Sequence, residues 1–218
     1  MWKHSDVVRI YRSFDMGFFP DPAVCLWIAH LGNRYIVFKE RLWFKTVASD
    51  IAKDIIEDSE GMKVSITYCD PSMDFQTGAD VKTIKDTFEE NGVPMECSVN
   101  NREHYAHAIH TALVEEVVLR EEDEHGPRIV VPRLQIVKNG CPYLIRTIPI
   151  MHYDEKRPLA MADHKHDHAA VALAYFLISH STNEHRPFSA VKTPRWMRSK
   201  STNSERFVLG KEGVRDRF

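Results

Sequence analysis

The sequence has no apolar run approaching the ~20 residues that a bilayer-spanning helix needs, which excludes a helical membrane protein. No hydrophobic stretch follows the opening Met1-Trp2-Lys3-His4-Ser5-Asp6, so a secretory signal is not predicted. The four cysteines (Cys25, Cys69, Cys97, Cys141) are far apart and include no C-x-x-C pair; they read as free thiols of a reducing, cytosolic compartment. Neither sign of charge is in excess. Twenty-nine Lys and Arg stand against 31 Asp and Glu, a net charge of −2, which excludes a uniformly basic nucleic-acid binder. There is no G-x-x-x-x-G-K-[ST] loop, so ATP hydrolysis is not predicted, and no internal repeat.

What is present is ordinary globular material: 218 residues, 43% hydrophobic and 28% charged, long enough to bury roughly 70% of the unfolded surface. Charge is unevenly spread. Residues 190–218 carry eight basic and three acidic side chains, a net +5, which leaves −7 for residues 1–189. The pattern divides the chain into a folded domain at 1–186 and a basic, flexible tail at 187–218, where periodicity fades into Ser, Thr, Lys and Arg.

Residues 7–14, 23–30 and 34–43 are rich in β-branched and aromatic side chains and predict three strands, the last two joined at Leu31-Gly32-Asn33. Thr46 is placed to cap a helix to about residue 58, with Val47, Ile51 and Ile55 on one face and Gly61 closing it. A strand at 64–69 ends at Asp70-Pro71. A helix over 79–90 stops at Gly92, and a short strand follows at 95–99. The spacing of Tyr105, Ile109, Leu113 and Val117 predicts one long helix over 102–120. Residues 129–137 are extended but broken by Pro132, which belongs at a sheet edge or in a hairpin. Pro142 opens a short helix, and 163–180 reads as an amphipathic one. Hairpins followed by β-α-β crossovers make the fold class α/β: a mixed sheet of antiparallel and parallel strands flanked by helices.

Three aspartates stand out by position. Asp15 and Asp70 each end a strand, and Asp167 lies in the first turn of the last predicted helix. If the first and fourth strands are parallel neighbours, Asp15 and Asp70 leave the sheet at one edge, and packing of the last helix brings Asp167 to them. Like charges this close repel unless a cation neutralises them, and Mg²⁺ suits a few carboxylates plus a phosphate. Two such ions ~4 Å apart can activate water and stabilise the leaving oxygen of a phosphodiester. Each aspartate alone also fits an ordinary turn or helix-start role; only their joint placement raises the catalytic reading.

The segments SFDMGF (13–18), YCDPS (68–72), TIKDTFEENGVP (83–94), NNRE (100–103) and DHKHDHAAVALAYFL (163–177) resemble the nuclease domain of the large terminase subunit of tailed bacteriophages, a member of the RNase H-like fold. The resemblance covers most of residues 6–180. It implies metal-dependent cutting of double-stranded DNA during genome packaging in the host cytoplasm, with two Mg²⁺ or Mn²⁺ ions held by Asp15, Asp70 and Asp167. His164 falls where the family has a histidine near the metals, and Asp163 matches an accompanying acid. Implied partners are double-stranded DNA, a packaging ATPase domain, the portal protein and the small terminase subunit. The missing ATPase motif makes the chain an excised domain or split subunit, expected to be monomeric in isolation. Holliday-junction resolvases and transposase cores share this fold, and a non-catalytic packaging module is a further alternative.

Other signals are weaker. His164, His166 and His168 alternate along a helix, ~200° apart, and cannot all face one zinc ion; His166 and His168 are expected to be solvent-facing or polar helix-start residues. His104, His107 and His110 read as a solvated face, and residues 115–124 as an acidic, exposed helix end. Gly17 suits either close approach of backbone to a ligand or a plain turn.

Overall fold

The computed structural model describes residues 8–17, 19–75, 82–99, 101–122, 126–162 and 166–184. The basic segment 187–218 therefore lies outside the described residues, as do Asp163 and His164.

Three strands open the fold: β1 (Arg9–Asp15), β2 (Ala23–Leu31) and β3 (Arg34–Trp43), paired antiparallel in sequence. The tight β2–β3 turn depends on Gly32, whose φ of +57° lies in the left-handed region. Helix α1 (Ala48–Asp58) leads to β4 (Val64–Cys69), and α2 (Ile84–Glu90) leads to the short β5 (Glu96–Cys97). β4 pairs parallel with β1 and β5 parallel with β4, so each helix lies in a crossover connection. After α3 (Arg102–Val114) the chain forms a separate hairpin of β6 (Glu116–Arg120) and β7 (Ile129–Pro132). It then adds β8 (Leu134–Ile136) parallel to β3, and ends in α4 (Pro142–Thr147) and α5 (His168–Glu184). The sheet order is β5-β4-β1-β2-β3-β8, an RNase H-like mixed sheet with helices on both faces.

Strand alternation builds two cores. Tyr11, Leu26, Ile28, Val37 and Tyr68 pack with α3, α4 and α5, whereas Phe14, Cys25, Trp27 and Cys69 pack with α1 and α2. On the second face Arg12 is buried, with no carboxylate paired to it among the described residues. Its guanidinium donates to Thr67 Oγ1 at 3.0 Å and Ser59 Oγ at 3.1 Å, and burial lowers its pKa. Lys39 and Arg41 on β3 pair with Asp58, which tethers the end of α1 to the sheet.

Four sequence expectations need correction. Thr46 does not cap α1; its hydroxyl donates to Phe44 O, Val47 takes the cap position, and Val47 is exposed rather than on the buried face. Helix α2 starts at Ile84, not 79, because Thr83 and Asp86 close a reciprocal capping box there. The long helix predicted over 102–120 stops at Val114. Glu115 turns extended, held by Arg133, and the β-branched Val117 and Val118 pair with β7. Finally, α5 begins at His168 and is not amphipathic: Ala169 through Leu177 are all buried. A helix apolar all round must be enclosed, and its alanines let it lie close on the sheet, where Ser13 Oγ donates to Ala172 O at 2.5 Å.

Candidate active site

In the parallel pair β1–β4, Ser13 stands opposite Tyr68 and Phe14 opposite Cys69. One residue further, that register sets Asp15 beside Asp70. Alternation sends both carboxylates to the face covered by α5, the face of Tyr11 and Tyr68. Asp167 immediately precedes α5, and its carbonyl accepts the N–H of Val171 at 2.8 Å, the first helical bond. It is thus the residue before the helix and not a member of its first turn. Asp15 and Asp167 are only 5% and 6% exposed, which makes their charge costly unless compensated.

Each carboxylate is compensated by a different protein group. His168 Nδ1 lies 2.6 Å from Asp15 Oδ2. Arg102, the first residue of α3, donates from Nη2 to Asp167 Oδ2 at 2.7 Å. Asp70 accepts the Tyr175 hydroxyl at 2.5 Å on one oxygen and the N–H of Ser72 at 2.6 Å on the other. The electrostatics join these contacts into one cluster. Burial pushes the Asp15 carboxyl up, His168 opposes the shift, and the charges of Asp70 and Asp167 push it further up. Burial works against a charged His168, but the hydrogen bond and charge of Asp15 outweigh it, so the imidazole is raised. Burial and the surrounding aspartates also keep Tyr175 in its neutral, donating form.

The donor set suits a hard divalent cation: three carboxylates at one sheet edge whose mutual repulsion a cation would relieve. As placed, no three His, Cys, Asp or Glu side chains among the described residues stand close enough to hold an ion, and His168, Arg102 and Tyr175 contact the carboxylates. Of the residues expected here, Asp15, Asp70 and Asp167 lie at the same end of the sheet, and Asp163 and His164 lie outside the described residues. His166 sits edge-on to Tyr143, 6.5 Å between ring centres.

Three participants escape sequence reading. His168 was expected to be a polar helix-start residue, yet it reaches Asp15; its place directly after Asp167 was the available signal. Arg102, within NNRE, reaches Asp167 across 65 residues of sequence. Tyr175 looks like core and is buried as core, but its hydroxyl faces Asp70. Gly17 is required by its own loop: a Cβ there would meet the Pro22 carbonyl oxygen at 2.0 Å.

No family model matches the sequence, and no curated protein does. Solved structures do share the fold. The large terminase of the thermophilic bacteriophage D6E superposes with a TM-score of 0.60 at 15% identity over 78% of this chain; the match spans 39% of the D6E chain. The nuclease domain of the large terminase of bacteriophage P22 gives 0.61 at 11% identity, covering 83% of this chain and 85% of its own. The nuclease domain of the SPP1 large terminase, with bound Mn, gives 0.54 at 17% identity, covering 77% and 84%.

Proposed function

We propose that this chain is a metal-dependent endonuclease that cuts double-stranded DNA during phage genome packaging. The observation that carries the reading is that Asp15 and Asp70, at two parallel strand ends, and Asp167, just before α5, lie at the same end of the sheet, where the charges of Asp70 and Asp167 act on Asp15. The fold shared with terminase nuclease domains, one of them Mn-bound, supports it.

Asp15, Asp70 and Asp167 are the residues that would hold divalent ions, with Asp163 and His164 as further members. When bound, such ions supply Lewis-acid activation of water and counter-charge for a phosphodiester. The remaining work falls to this chain's own groups. Arg102 orients the Asp167 carboxylate while neutralising it. Ser72 N–H and the Tyr175 hydroxyl fix both oxygens of Asp70. His168 gives the buried Asp15 carboxylate a hydrogen-bonding partner inside the protein. The basic segment 190–218 is proposed to dock on DNA or the portal, and the ATPase domain and small terminase subunit are proposed partners.

Purified protein is expected to nick or linearise plasmid DNA with Mn²⁺ or Mg²⁺ and to stop with EDTA. Asp70→Asn and Asp167→Asn should each abolish cleavage while leaving the circular dichroism spectrum intact. Undiminished cutting by either variant would overturn the assignment, and strong preference for branched over linear duplex would shift it to a resolvase.

A further inference from the structure

Strands β4 and β5 run parallel with Cys69 directly opposite Cys97. Both side chains point to the face packed by α1 and α2, opposite to the carboxylates. Their sulfurs are 4.0 Å apart, with the Cys69 thiol donating to Cys97. Neighbouring strands lie ~4.7–4.9 Å apart, within the ~4.4–6.8 Å Cα separation that a disulfide spans, so side-chain rotation alone can join the two sulfurs.

The other thiols have no such partner. Cys25 is fully buried, and burial pushes it up to about 12. Cys141 is buried against Val37 O at 3.5 Å and is likewise pushed up to about 12. Cys97 differs. It is half-buried, and the hydrogen bond from Cys69, assisted by the Lys85 ammonium, holds its thiol below the ordinary value despite partial burial.

We propose that Cys69 and Cys97 form a redox-active dithiol that a peroxide converts to an intramolecular disulfide. The Cys97 thiolate attacks one peroxide oxygen, the O–O bond breaks, and the departing hydroxide takes up the proton released when the thiol ionised and leaves as water, which produces a sulfenic acid at Cys97. The Cys69 sulfur then attacks the Cys97 sulfur and the S–O bond breaks. The Cys69 proton leaves with the hydroxide as a second water. Two thiols lose two electrons, and one peroxide gains them. The bond would staple the two-residue β5 to β4 next to Asp70, but the proposal rests on thiol geometry alone and is independent of the nuclease reading.

The test treats the full chain with hydrogen peroxide, unfolds it, alkylates remaining thiols and maps its peptides by mass spectrometry. The expected result is a linked Cys69–Cys97 peptide pair lighter by two hydrogens and separated by dithiothreitol. Cys25 and Cys141 should alkylate as in untreated protein. Cys97→Ser should abolish the linkage and Cys25→Ser should preserve it; the wild-type map stands even if either variant misfolds. Conversion of Cys97 to sulfinic or sulfonic acid with Cys69 still alkylatable would overturn the proposal, as would two unmodified thiols.

Discussion

Acid should loosen this fold through one buried histidine on α5. His180 stacks on Phe176 at 4.9 Å, lies 4.6 Å from the Tyr11 ring, and places Nε2 3.0 Å from Nδ1 of His30. Burial first, then the positive charges of His30, Arg133 and Arg9, lower its pKa from 6.5 to about 4. Protonation of His180 would place a charge in the core beside His30. The unfolded chain takes up the proton near 6.5 and the folded chain only near 4, so stability falls as pH drops through that window. At about 1.4 kcal/mol per unit, the full penalty is about 3 kcal/mol, of which about 2 kcal/mol has been lost by pH 5. With a urea slope of about 2 kcal/mol/M, the midpoint should fall by about 1 M between pH 7 and pH 5. His180→Gln keeps a hydrogen-bonding group but does not titrate, and its midpoint should fall by correspondingly less. Equal slopes for wild type and His180→Gln over this range would refute the reasoning.

Three further predictions concern the site and its supports. Arg102→Gln leaves the buried Asp167 carboxylate without its cation and should cost about 1–3 kcal/mol; Mn²⁺ should raise the melting temperature of this variant more than that of wild type in differential scanning fluorimetry, and an unchanged melting temperature without metal would count against it. Gly17→Ala drives a Cβ into the Pro22 carbonyl and should destabilise by about 1–3 kcal/mol or more in urea titration, with neutrality as the contrary result. Phe14→Ala opens a fully buried hole between Trp43 and Phe88 and should cost about 3–5 kcal/mol, checked by the same titration.

How far the sequence could be read varied with how local each determinant is. The hairpin at Gly32 and the strand at Val64–Cys69 were legible because turn chemistry and β-branched runs act over a few residues. The helix predicted through 120 was not: Val117 kept the helical spacing, but its pairing with Val131 lies 14 residues away and outweighs it. The amphipathic reading of α5 failed similarly, since nothing within the helix shows that α3, α4 and the sheet enclose it on every side. Among site residues, the three aspartates were marked by their positions at element ends, whereas Tyr175 carried no mark that separated it from core.

The sequence by itself determined the order of strands and helices as far as the start of α3, the α/β class and the candidate carboxylates, because these follow from residue type and short-range spacing. Only the tertiary structure decided what each carboxylate meets. Arg102 and Asp167, His168 and Asp15, and Tyr175 and Asp70 are separated by 65, 153 and 105 residues. Contacts across such distances are set by how the sheet and helices pack, and that packing is a sum over the whole core that no local pattern encodes.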